Sequence, residues 1–249
     1  MRHRIEEISD FLYRDEEDNS PWMTGFRDWA VILAFLILTY FFIRYYKLQP
    51  IRLRKQLYIF ISIALLVTVV RRFLLKRDFY DLEARIPLFS CNISAIVLAV
   101  NSLLFFLPWH SLIWQALLDW SVFAGIYGGA LAIIFASPGN YAFPHMTRLG
   151  YYVEHAGIFF LGLMYIFERT APYSYSTLLY TSLITLSYLY LMDKVANPKL
   201  GTNYGFITEP PRGTEFLARY ISKSTYQTIC LTMYLACNAL AWYCANQLI

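Results

Sequence analysis

Residues 112–136 read LIWQALLDWSVFAGIYGGALAIIFA, and this run decides the fold class. Asp119 is its only charge, and the run exceeds the ~20 apolar residues that a helix needs to span hydrocarbon. Ser121, Gly125 and Gly129 recur in it at four-residue spacing, a small-residue face that lets two membrane helices approach closely. Six further apolar runs flank it. They extend from Trp29 to Tyr46, Leu57 to Leu75, Pro87 to Leu107, Tyr151 to Phe167, Tyr175 to Met192, and Thr225 to the C-terminus. Pro87 suits a first helical position, where no hydrogen-bonded N–H is lost. The expected fold is an all-α integral membrane protein, a bundle of seven transmembrane helices over residues 29–249.

Composition agrees. Of 249 residues, 58% are hydrophobic and 15% charged, whereas soluble chains carry about a quarter charged residues. Tyr and Phe cluster at run ends, where aromatic rings favour the headgroup zone. Residues 1–28 read as a polar cytoplasmic tail, with an acidic patch at Asp15, Glu16, Glu17 and Asp18. That stretch has no apolar core before a small-residue cleavage site, so it does not read as a signal peptide.

Lys and Arg set the orientation. With the N-terminus inside, fifteen of the 21 fall on cytoplasmic segments and six outside, so N-in and C-out is expected. Lys47, Arg52, Arg54 and Lys55 in the first outer loop run against this count. No internal repeat supports an inverted-repeat transporter.

The four cysteines lie in or beside apolar runs and do not suggest a disulfide framework. Cys230, Cys237 and Cys244 form a seven-residue stripe, with neighbours ~10 Å apart along a helix, that reads as packing. The histidines are too dispersed for a metal site, and no cofactor or nucleic-acid partner is expected.

Under the N-in topology the third and fifth helices start on the same side. Cys91 lies four residues after Pro87 and His155 four after Tyr151, each ~6 Å along its helix. A helix N-terminus stabilises a thiolate, and a nearby imidazole could take the proton, giving a nucleophile able to form an acyl-thioester. Ser94 and Asn101 continue a polar stripe on the Cys91 face. The plainer reading stands beside this one: a lone Cys in a membrane helix usually packs, and a lone His usually makes one interhelical hydrogen bond. Glu154 points about 100° away from His155. His145 and Arg148 read as surface or headgroup contacts, and His110 falls on the opposite side. Asp119 and Asp193, near helix ends, read as hydrated at the interface.

The connector Gly201-Thr202-Asn203-Tyr204-Gly205-Phe206-Ile207-Thr208-Glu209-Pro210-Pro211 disfavours a helix, yet is apolar for a solvated linker. It reads either as a loop folded back over the bundle mouth or as an interfacial connector.

Three segments together resemble the YwaF-like integral membrane family, which includes animal transmembrane acyltransferases. They are Ile86-Pro87-Leu88-Phe89-Ser90-Cys91; Tyr151-Tyr152-Val153-Glu154-His155-Ala156-Gly157, preceded by Ser137-Pro138; and Gly201-Thr202-Asn203-Tyr204 followed by Pro210-Pro211. The resemblance covers roughly residues 80 to 220. It implies transfer of a fatty acyl chain between membrane phospholipids through a cysteine thioester, with Cys91 as nucleophile, His155 as base and Asn203 near the mouth. Ser94 and Asn101 would line the substrate path, and phosphate would meet Arg71, Arg72 or Arg148. The family's histidine two positions before the cysteine is Phe89 here. Competing readings are a lipid hydrolase of similar fold, a non-enzymatic transporter or ligand-binding bundle, and an assembly partner acting through the acidic tail.

Overall fold

The computed structural model describes residues 26–75, 86–104, 111–135, 146–210 and 220–249. Among these are seven helices of at least fourteen residues: α1 Phe26–Tyr45, α2 Ile51–Leu75, α3 Ser90–Leu103, α4 Leu112–Ile134, α5 Met146–Phe167, α6 Tyr175–Leu191 and α7 Lys223–Leu248. Serines start three of them. Ser111, Ser174 and Ser222 accept from the backbone N–H groups of Trp114, Thr177 and Thr225, satisfying donors that a helix start leaves unpaired. The polar tail, His110, Ser137, Pro138, His145 and Pro211, and the side chain of Arg72, lie outside what is described.

Five helices (α1, α2, α4, α5 and α7) are long and apolar enough to cross a membrane. At fourteen residues α3 is only ~21 Å long, short of the ~30 Å hydrocarbon core. It starts at Ser90, not Pro87. α2 begins at Ile51, six residues before the expected start, and so takes in Arg52, Arg54 and Lys55. The Arg54 guanidinium donates to Glu168 Oε1 at 2.6 Å, so part of the charge that opposed the expected orientation is neutralised within the protein.

The helices alternate in direction. α4 and α5 are antiparallel: a Cβ added to Gly129 would lie 2.5 Å from the His155 carbonyl oxygen, and one on Gly125 would lie 3.0 Å from that of Ile158. Gly162 of α5 faces Val122 and Ile126 in the same register. The small-residue face read from the sequence is therefore the seam along which two backbones touch. α3 runs parallel to α5, since Asn92 bonds Glu154 at one end while Asn101 and Ser102 bond Tyr165 at the other. α2 opposes α5, with Tyr58 on Tyr165 and Leu65 on Gly157. α1 follows α5 through Phe35 on Phe159 and Tyr46 on Phe167. α7 opposes α6, joined at Asn238 to Thr181 and at Gln227 to Asp193.

More than half of α4 and α5 is buried, but less than a fifth of α1, α2 and α7. Outward-facing Leu33, Phe41, Phe60, Val67 and Leu240 form an apolar exterior suited to lipid rather than water. The core runs from Leu65 through Leu98, Phe123, Ile158, Leu161 and Met164.

A Gly129→Ala substitution drives a methyl into backbone and is expected to cost about 1–3 kcal/mol. Gly128 is the internal control: a Cβ there meets nothing within 4 Å. Gly128→Ala is expected to leave stability unchanged or to raise it by up to about 1 kcal/mol through helix propensity. Thermal unfolding of the detergent-purified variants reads both.

Candidate functional site

The polar groups near the starts of α3 and α5 converge at one end of the bundle. Cys91 is the second residue of α3, whose N-cap Phe89 supplies no side-chain cap, so it sits where the helix dipole is least shielded. His155 lies nine residues into α5, because that helix starts at Met146 and not at Tyr151. Both helix starts thus differ from expectation, yet the two residues still share a level. α5 projects past the start of α3, and the buried Asn92 amide donates to the buried Glu154 carboxylate, the neighbours of Cys91 and His155 respectively.

The hydrogen bond of His155 defines its chemistry. Its Nδ1 lies 2.7 Å from the Tyr151 carbonyl oxygen. A carbonyl only accepts, so Nδ1 carries a proton and Nε2 is the nitrogen through which the ring can act as a base. Tyr151, whose ring lies tilted 4.2 Å from the imidazole, is itself anchored by its hydroxyl to the Ala132 carbonyl at 2.7 Å. The ring is 6% exposed and held from two sides.

The connector after α6 folds back over this end. A π-turn, Met192–Ala196, and a one-turn helix, Asn197–Leu200, lead into it. Buried Asn197 is its organiser: Oδ1 accepts from Tyr204 N (2.8 Å) and Thr202 Oγ1 (3.1 Å), and Nδ2 donates to Tyr204 O and Thr208 Oγ1 (both 3.1 Å). Gly201 and Gly205 adopt left-handed conformations, φ 64° and 71°, which let the chain reverse. Tyr204 is fully buried and donates to the Ile86 carbonyl at 3.0 Å, while its ring meets Phe89 at 5.0 Å. Phe206 also packs on Phe89, at 5.5 Å. Where the resembled family has a histidine, this chain has the ring on which the loop rests. From α6 and α7, Tyr188 donates to the Leu88 carbonyl and Tyr234 to that of Gly205; both phenols lie within electrostatic reach of Cys91.

The other candidate residues separate by what they bond. Asn203 braces the loop, accepting from Thr208 N and Glu209 N and donating to Glu209 O. Asn101 donates to Tyr165 and accepts from Trp114 Nε1, which ties α3 to α4 and α5. Ser94 is completely buried, and its Oγ has no partner among the described residues. Buried Arg148 lies in the first turn of α5, and the guanidinium of half-buried Arg71 covers the Gly150 Cα in the same stretch. Asp119 is not hydrated as expected: it is 6% exposed, accepts from Gln115 and pairs with Arg169 at 3.4 Å. Asp193 joins α6 to α7 through Gln227. Cys230, half-buried, places its thiol 3.7 Å from the Phe206 carbonyl.

Sequence reasoning passed over Asn92, Asn197, Tyr188 and Tyr234. Asn92, next to Cys91 inside an apolar run, carried a usable signal, because a buried amide in a membrane helix needs a partner.

Removing the Asn197 amide is expected to release the loop while leaving the helices intact. In Asn197→Ala, amide hydrogen exchange at Tyr204 and Thr208 should accelerate at least tenfold, with exchange in α4 and α5 unchanged. Unchanged protection at Tyr204 would show that the loop is held by its aromatic contacts instead.

A family model described as the TMEM164 family matches residues 19–243. No curated protein and no solved structure matches the chain. Since that match takes in the apolar helices, both candidate helix starts and the folded-back loop, the chain belongs to the TMEM164 family, a family of transmembrane proteins.

Proposed function

We propose that this protein is a membrane-embedded phospholipid acyltransferase that works through an acyl-thioester on Cys91, with His155 as general base. The observation that carries the reading is the tautomer of His155: Nδ1 is committed to Tyr151 O, leaving Nε2 as base at the level of a thiol in the first turn of α3. The resemblance of three ordered segments to the YwaF-like family adds support from the sequence.

The chemistry balances as follows. His155 Nε2 takes the thiol proton, and the thiolate attacks the carbonyl carbon of a phospholipid ester. The C–S bond forms as the ester C–O bond breaks, and His155 returns its proton to the departing glycerol oxygen. A lysophospholipid hydroxyl then attacks the thioester, again deprotonated by His155, and the Cys91 thiolate leaves and is reprotonated. A helix N-terminus favours the thiolate in both halves of the cycle. Arg71 and Arg148 supply positive charge for the donor's phosphate. Asn203 holds the loop at the mouth, and the loop keeps water from competing with the acceptor hydroxyl. Water admitted there would make the same site a hydrolase.

Helices that alternate in direction fit seven crossings, and the Lys and Arg count favours the N-terminus in the cytoplasm, with the site opening on the cytoplasmic leaflet. Labelling of single cysteines placed in the tail and in the α6–α7 connector by a membrane-impermeant reagent added on the opposite side should then occur only after the membrane is permeabilised.

Cys91→Ala and Cys91→Ser are each expected to lower acyl transfer in proteoliposomes by at least about 10³-fold, and His155→Ala by about 10²–10⁴-fold, with thermal stability retained. Full activity in a folded Cys91→Ala protein contradicts the mechanism and favours a ligand-binding or transport bundle, in which that thiol has no chemical duty.

A further inference from the structure

Helical hydroxyls in this protein follow one habit. Thr68, Ser102, Thr181, Thr185, Thr228 and Thr232 each donate to a backbone carbonyl three or four residues earlier in their own helix. Ser94 departs from it, as do Thr39, Ser62 and Ser121, but of these four only Ser94 lies on the helix that carries Cys91. The Ser94 Oγ is completely buried and has no partner among the described residues, neither the preceding turn nor a neighbouring helix. Leaving a buried hydroxyl unbonded costs about 1–3 kcal/mol, so such a group calls for a ligand or a function.

Its position gives it one. Ser94 lies three residues after Cys91, ~4.5 Å along the axis and about 60° around it. Helical side chains lean toward the N-terminus, so Ser94 leans over the turn that carries Cys91. The adjoining wall of α4 is open at the same level. α3 and α4 are antiparallel, with Asn101 beside Trp114 and Leu98 beside Gly125, so Gly128 falls toward the start of α3. Among the described residues a Cβ at Gly128 would meet no atom within 4 Å, while its neighbour Gly129 is jammed against α5. An unsatisfied donor and unfilled space therefore adjoin the candidate nucleophile.

We propose that Ser94 Oγ–H is the oxyanion donor of the acyl-transfer site, with the space at Gly128 receiving the acyl carbonyl and the first carbons of its chain. This rests on the acyl-thioester reading. When the Cys91 thiolate adds to the ester carbonyl, the carbonyl π electrons move to oxygen, and that oxyanion accepts the Ser94 hydroxyl hydrogen bond. The bond strengthens as charge develops and relaxes when the C–O bond breaks and the thioester carbonyl re-forms. The uncapped first turn of α3 contributes its field to the same oxygen. A donor without a resting partner has no bond to break before it serves the transition state.

The test uses the full chain in mixed vesicles of phosphatidylcholine, phosphatidylethanolamine and phosphatidylglycerol with their lysolipids. It reads acyl transfer, iodoacetamide alkylation of Cys91 and thermal stability in three variants. Ser94→Ala is expected to lower kcat about 10²–10³-fold. Its Cys91 alkylation rate should stay within twofold of the parent, and its melting temperature should be equal or higher, because the change removes an unsatisfied polar group. Ser121→Ala is the control. Ser121 is equally buried and has no partner among the described residues, but it lies seven residues from Gly128, ~10 Å along α4, and turnover should be unaffected. Gly128→Leu should suppress transfer of long acyl chains while leaving iodoacetamide alkylation intact. Turnover of Ser94→Ala within threefold of the parent overturns the oxyanion role and leaves the thioester reading standing. A drop in turnover matched by a drop in melting temperature also overturns it, because Ser94 would then be structural. Parent turnover no higher than that of Cys91→Ala removes the thioester reading and this inference together.

Discussion

The close approach of α4 and α5 is the constraint on which the rest of the bundle depends. At Gly125 and Gly129 no side chain separates the helices, and the carbonyls of Ile158 and His155 face the bare Cα atoms of α4. Lipid tails are as apolar as leucine, so helices in a bilayer gain little by hiding hydrophobic surface from each other. Association relies instead on close packing and on interhelical hydrogen bonds. The glycine seam provides the first of these and fixes the register of α5 on α4 within one turn. His155 is held by that register, because its own carbonyl is one of the contacting atoms.

Asparagine and tyrosine provide the second. Asn92 joins α3 to Glu154 on α5, Asn101 joins α3 to both α4 and α5, and Asn238 joins α7 to α6. Asn197 builds the folded-back loop, which Tyr226 and Tyr234 of α7 hold by its carbonyls and Tyr204 ties to Ile86, while Tyr188 of α6 bonds the neighbouring Leu88 carbonyl. A second cluster of ion pairs and hydrogen bonds, Arg54 with Glu168 and Tyr46, and Arg169 with Asp119, closes the opposite end. The molecule thus has one end locked by charge and, at the other, a loop resting on Ile86 and Phe89 just before the first turn of α3. The same end also carries the buried Ser94 hydroxyl, which makes no hydrogen bond among the described residues.

The apolar runs were legible because the length of a membrane-crossing helix is set by bilayer thickness, and the small-residue face on α4 because close approach needs Gly or Ser at four-residue spacing. What escaped the sequence was decided by partners far along the chain. The start of α2 was read as loop because Arg52, Arg54 and Lys55 appear interfacial, yet Arg54 is matched by Glu168 more than a hundred residues later. The start of α5 was placed five residues late because Arg148 and its polar neighbours mask a helical turn that Arg71 covers. Asp119 appeared suited to hydration until Arg169 came to it from the end of α5. The alignment of Cys91 with His155 was inferred from two helix starts that both differ from the structure. The level persists because α5 extends beyond α3, which charge counting did not show. Of the loop, glycines and aromatic residues hinted that it folds back, but the role of Asn197 depends on a reversal that only the folded chain displays.

In the proposed function, a thiol, an imidazole held through its Nδ1, two guanidinium groups and a loop over the mouth pass an acyl group between lipids. The most direct test is the mass of the Cys91 peptide after brief exposure of the intact protein to phospholipid vesicles, followed by acid quench. The account predicts a fatty-acyl adduct on Cys91 that neutral hydroxylamine removes and that does not form in His155→Ala. Unmodified Cys91 under conditions where the protein transfers acyl chains would contradict it.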